Sequence, residues 1–161
     1  MGTATENILD NIVQNILSMK GKHNDIKAVG ISLPGVIDSQ NSLTTRPITN
    51  IPGLNKIDLK KVIFEKTGLE TFLMNDANSA TLYEFANGSL KDVNTGLLIT
   101  IGTGIGVGLI VNKDSYEGGE SFSAGEIGKM IINYLPWELI ASTRTIVNEA
   151  NQICGKENYT G

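Results

Sequence analysis

The tightest constraint in this 161-residue sequence is a run with glycine at alternate positions, Gly102-Thr103-Gly104-Ile105-Gly106-Val107-Gly108. Glycine at that density lets the backbone take positive φ and lets another group approach the main chain closely. The run lies between two strand-type apolar segments, residues 95–101 and 107–112, spaced closely enough to form a β-hairpin. Several N–H groups in such a turn can converge on one concavity and hold phosphate oxygens, with the Thr103 hydroxyl as a further donor. It is not a Walker loop, because no Gly-Lys-Ser/Thr follows. It is not a dinucleotide fingerprint, because a strand and not a helix comes next. A glycine-rich hairpin turn that binds nothing satisfies the same pattern.

Met74-Asn75-Asp76-Ala77-Asn78 marks a second point of interest, where a strand gives way to a helix. In α/β proteins ligands gather beyond the carboxyl ends of strands. An aspartate there can take the proton from a sugar hydroxyl as that oxygen attacks a phosphoryl group. Asn75 both donates and accepts, which suits neighbouring hydroxyls. On its own, an aspartate at this position is more often a helix cap.

Periodicity around these two points mixes helices and strands. Ile8, Leu9, Ile12, Val13, Ile16 and Leu17 predict a helix over residues 5–19 that stops near Gly21. Strands are expected over 27–33, 69–74 and 127–133. Helices are expected over 59–66, capped by Asp58 and closed by Gly68, then from 75 or 76 to 87, and over 137–154. The class is α/β, with a mixed sheet and flanking helices.

Composition narrows the remaining possibilities. A net charge of −4 without like-charge blocks gives no basic face for nucleic acid. No apolar run has the length of a membrane span, and the first residues lack the basic-then-apolar order of a signal peptide. One cysteine, Cys154, excludes an internal disulfide, and one cysteine with one histidine leaves no conventional zinc site. A cytoplasmic protein is the expectation.

In this order, several segments together resemble the ROK family of sugar kinases and repressors. Pro34-Gly35 followed by Asp38 resembles the family's PG-x-x-D segment, and Asn50 with Pro52-Gly53 its sugar-side loop. Asn75-Asp76-Ala77-Asn78-Ser79-Ala80 resembles the N-D-A-N-A-A catalytic motif. Gly102–Gly106 resembles the second phosphate motif, and Ala124-Gly125-Glu126-Ile127-Gly128 the A-G-E-I-G-H motif. The resemblance runs from about residue 6 onward. It implies an actin-like ATPase (ribonuclease H-like) fold and ATP- and Mg2+-dependent phosphorylation of a hexose or amino sugar. Asp76 would be the base. Gly35, Asn50, Asn75, Glu126 and Glu138 would hold sugar hydroxyls, and Gly102, Thr103, Gly104 and Gly106 would approach the phosphates. A homodimer is implied for the intact protein.

Three departures from the family pattern shape these expectations. Lys129 stands where the family has histidine, and either donates to sugar or points to solvent. The cysteine-rich loop is absent, so no zinc is expected. The family's opening strand with its D-x-G-G-T phosphate loop, and the later nucleotide segments, have no counterpart. Residues 1–95 are therefore expected to be the sugar-side part of one actin-like domain, and 96–161 the beginning of the next. Such a partial chain is expected to be weak or inactive alone. A repressor effector domain and a non-catalytic sugar-binding fragment are the alternatives.

Overall fold

The computed structural model describes residues 4–41, 43–44, 46–48, 51–55 and 57–155. The chain divides into two compact units, Met1–Asp76 and Ala77–Gly161.

In the first unit, helix α1 (Ala4–Lys22) is followed by strand β1 (Ala28–Leu33), the short strands β2 (Ile37–Asp38) and β3 (Leu43–Thr44), a 3-10 turn at Pro52–Leu54, helix α2 (Leu59–Thr67) and strand β4 (Glu70–Asn75). Ile8, Leu9, Ile12 and Ile16 share one face of α1 and pack on a core of Leu33, Ile37, Ile48, Leu54, Leu59, Ile63 and Leu73. Asp58 caps α2 by accepting from the Lys61 N–H at 3.0 Å. Gly68 ends the helix in the left-handed region at φ +70°, its N–H bonded to the Phe64 carbonyl at 2.8 Å. β1 and β4 pair in parallel, from Ala28 opposite Glu70 to Leu33 opposite Asn75. Parallel pairing requires a crossover, and α2 lies within it. The carboxyl ends of both strands consequently lie side by side.

Asp38 is buried at the end of β2 and organises the turn that follows. Its carboxylate accepts from the Asn41 side-chain amide at 2.7 Å and the Asn41 N–H at 2.9 Å. The Asn41 side chain, and then the backbone N–H of Asn41, hold the Asp38 carboxyl below its ordinary value of 3.8 despite burial. A lowered folded pKa adds stability that is complete above the unfolded value of about 3.9 and is lost as pH falls through the folded value. Asn41→Ala should therefore lower Tm at neutral pH, with the gap to the parent narrowing below about pH 4. A gap that persists unchanged in acid would show that the carboxylate is not its source.

In the second unit, helix α3 runs through Asp76–Asn87, its first residue being the last of the preceding unit. Strands β5 (Thr95–Ile101) and β6 (Ile105–Val111) then form an antiparallel hairpin, and β7 (Asp114–Ser115) pairs with the end of β6. Next come a 3-10 turn at Glu126–Lys129, the short antiparallel pair β8 (Ile131–Ile132) and β9 (Leu135–Pro136), and helices α4 (Glu138–Ala141) and α5 (Thr143–Cys154). Strands of both orientations are present, but they are distributed over separate small sheets.

Two sequence expectations change here. Residues 127–133 do not form one strand: Glu126–Lys129 is a 3-10 turn, and only Ile131–Ile132 is extended. The cause is Gly125 and Gly128. A methyl group at either would overlap a β6 carbonyl oxygen, that of Val107 or Ile105 respectively. The Val107 N–H also donates to the Gly125 carbonyl at 3.2 Å. The segment thus lies against the backbone of β6 through its two glycines. The helix expected over 137–154 is broken at Ser142, which is extended at φ −80°, ψ 163° and caps α5 by accepting from the Thr145 N–H.

Candidate functional site

At the carboxyl ends of β1 and β4 the first unit assembles two of the motifs. Gly35 follows β1 at φ +101°, a left-handed conformation that glycine adopts without strain. Its carbonyl accepts from the Asn75 side-chain amide at 2.9 Å, across 40 residues of sequence. Asn75 is the last residue of β4 and half-buried, and Asp76, the first residue of α3, is exposed. An exposed carboxylate at a strand-to-helix junction is open to a ligand that gathers beyond the strand ends. Asn50 lies outside the described residues.

The second unit assembles the other motifs. Gly102, Thr103 and Gly104 join β5 to β6. The Gly102 N–H donates to the Gly104 carbonyl at 2.9 Å, and the Gly102 carbonyl accepts from the Thr143 N–H, at the start of α5, at 2.9 Å. Gly102 and Thr103 are exposed, and a methyl at Gly102 would meet nothing within 4 Å. The tip of the hairpin is open to a ligand. Gly106 is differently placed, because a methyl there would stand 2.7 Å from Thr100 Oγ1 and 3.0 Å from Ala77 Cβ. Its lack of a side chain makes room for protein atoms.

Glu138, at the start of α4, reaches back to the hairpin. A methyl at Gly104 would lie 2.7 Å from Glu138 Oε2. A residue expected on the sugar side is thereby brought against one expected on the phosphate side. Glu126 forms an ion pair with Lys129 at 2.7 Å; the Lys129 side chain is 66% exposed and that of Glu126 28%. Lys129 is therefore neither buried in a pocket nor isolated in solvent; it partners the glutamate of its own turn. Among the described residues no three His, Cys, Asp or Glu side chains are grouped to hold a metal ion, and no helix is long and apolar enough to cross a membrane.

Sequence reasoning singled out Gly108 only as the end of the glycine run, and did not single out Thr81. A methyl at Gly108 would lie 2.7 Å from Thr81 Cβ and 2.9 Å from the Ala77 carbonyl oxygen. The alternation of glycines continues to Gly108 in the sequence, but nothing local says that a helix is what approaches it.

Comparison with known proteins gives a consistent result. The model of the ROK family matches residues 2–158. A xylose repressor from Bacillus spizizenii is 32% identical over 96% of this chain and 42% of its own length. A β-glucoside kinase from Klebsiella pneumoniae is 35% identical over 76% of this chain and 40% of its own. The crystal structure of a glucokinase from Streptomyces griseus, bound to glucose and AMPPNP, superposes with a TM-score of 0.77 at 27% identity. It covers 94% of this chain and 50% of that one. The chain spans half or less of the length of each of these three proteins.

Proposed function

The chain belongs to the ROK family, with its actin-like ATPase fold, and on that premise we propose that the intact protein transfers a phosphoryl group from ATP to a hydroxyl of a hexose or amino sugar. The observation that carries this reading is the junction at Asn75-Asp76. An exposed aspartate opens α3 beyond two parallel strand ends, and its neighbour is bonded to the Gly35 carbonyl.

In this reading the Asp76 carboxylate accepts the hydroxyl proton as the sugar oxygen forms its bond to phosphorus. Gly35, Asn50, Asn75, Glu126, Lys129 and Glu138 hold the sugar, Lys129 acting through its pairing with Glu126. Gly102, Thr103 and Gly104 line the phosphate side, with Gly106 behind them. Bound Mg2+-ATP supplies the phosphoryl group, the metal offsetting its charge. The exposure of Gly102 and Thr103 at the open tip supports this reading. Residues 1–95 are the sugar-side part of one actin-like domain and 96–161 the beginning of the next, which also carries Glu126, Lys129 and Glu138; this chain alone is weak or inactive. A cytoplasmic homodimer without zinc belongs to the same proposal.

A second reading is favoured by the xylose repressor similarity, which covers more of this chain than the kinase similarity does. In it, the same fold binds sugar as the effector part of a transcriptional repressor.

Measuring ADP release by the intact protein with glucose, mannose, fructose, N-acetylglucosamine, N-acetylmannosamine and β-glucosides separates the two. Sugar-dependent ADP release supports the kinase. Its absence with every sugar, together with sugar-sensitive DNA binding, supports the repressor. In a kinase, Gly102→Ala should keep Tm unchanged and raise the nucleotide KM about tenfold, the equivalent of one charge-assisted hydrogen bond.

A further inference from the structure

Helix α3 is held in an unusual way. Its buried residues are Ala77, Asn78 and Thr81, none of them a large aliphatic. The surface beneath them is backbone. Gly106 places its Cα against Ala77, Gly108 against Thr81 and the Ala77 carbonyl, and Gly125 near Asn78 Oδ1. Thr81 is 1% exposed, and its hydroxyl donates to the Ala77 carbonyl at 2.7 Å. That bond turns Oγ1 back along the helix. At Gly108 no room remains: a methyl there would overlap Thr81 Oγ1 and crowd Thr81 Cβ and the Ala77 oxygen together. Helices seated on long aliphatic side chains can adjust by changing rotamers. This one rests main chain against short side chains, where close packing leaves no such adjustment.

We propose that Thr81 is a positioning residue for the phosphoryl transfer: its contact with Gly108 and its bond to the Ala77 carbonyl set the depth at which α3, the helix that opens with Asp76, rests on β6. The inference rests on the kinase reading. Thr81 touches no reacting atom; it acts through the helix.

The test uses the intact protein, with calorimetric sugar binding to count folded sites and kcat expressed per site. Gly108→Ala should leave the sugar affinity of the folded molecules unchanged and lower kcat about 10- to 100-fold, as expected for a displacement of about 1 Å at a reacting group. Thr81→Val keeps the side-chain shape and removes the hydroxyl bond, while the Ala77 carbonyl retains its main-chain partner in the helix. It should lower kcat in the same direction, and Thr81→Ser should restore kcat to near the parent value. If Gly108→Ala does not fold, Thr81→Val and Thr81→Ser decide the matter alone. Variants that bind sugar at full stoichiometry and keep the parent's kcat overturn the proposal while leaving the kinase reading standing. A parent that binds sugar but never releases ADP overturns both.

Discussion

Asp76→Asn in the intact protein should lower kcat by about two to four orders of magnitude, the range over which a positioned general base contributes. Sugar affinity should stay near that of the parent, because the amide keeps the shape and the hydrogen-bonding reach of the carboxylate but cannot take up the proton. Asparagine is also among the best helix-capping residues. If Asp76 were only a cap for α3, the substitution would leave both Tm and turnover in place. The experiment therefore separates the two readings that the sequence leaves open at this position. Turnover near the parent's, in protein that binds sugar normally, would sink the assignment of Asp76 as the base.

Gly125→Ala should be the most damaging single methyl in the second unit. The backbone at Gly125 has φ −80° and ψ −4°, a conformation open to alanine, so the effect is steric and not conformational. The added methyl overlaps the Val107 carbonyl oxygen, which belongs to a strand residue only 2% exposed. The backbone of β6, paired with β5 on one side, cannot move aside as a flexible side chain would. The expected cost is about 1–3 kcal/mol or somewhat more, read as a lower Tm and denaturation midpoint. The segment is forced off β6 and carries Glu126 with it, so sugar affinity should fall as well. An alanine variant with unchanged Tm would contradict the close seating of this turn on β6.

Much of the architecture was legible from pattern. The apolar spacing of Ile8, Ile12 and Ile16 located α1 because a helix with one buried face needs that period. The segment from Thr95 to Ile101 and the glycine turn located the hairpin, although β6 begins at Ile105, two residues before the strand expected there. Asn75 and Gly35 were both singled out, and the structure joins them directly. What the pattern could not resolve was the purpose of each glycine. Gly102 faces open space, Gly106 and Gly108 face α3, and Gly125 and Gly128 face β6. Absence of a side chain serves a ligand and a packed neighbour equally, and only the position of the neighbour distinguishes them. The break at Ser142 was readable in principle, since a serine directly before an apolar-periodic segment is a capping signature. The helical character on both sides of it concealed the signal. The 3-10 turn at Glu126–Lys129 was hidden because Ile127, Met130, Ile131 and Ile132 look like a strand until the carbonyls of Val107 and Ile105 are in view.

The Asn75–Gly35 bond has a consequence for how the protein acquires its site. The β5–β6 hairpin closes over three residues, so its pairing is local and belongs to the microsecond class of folding events. The junction at Gly35 and Asn75 needs β1 and β4 in register across 40 residues, with the loop entropy of the whole crossover lost before the contact forms. The glycine turn can therefore exist early, while the junction that bonds Asn75 to Gly35 is assembled only with the core of its unit. In a nascent or partly unfolded chain, the Asn75-Asp76 junction is among the last features to find its surroundings, and the first to lose them when β1 and β4 separate.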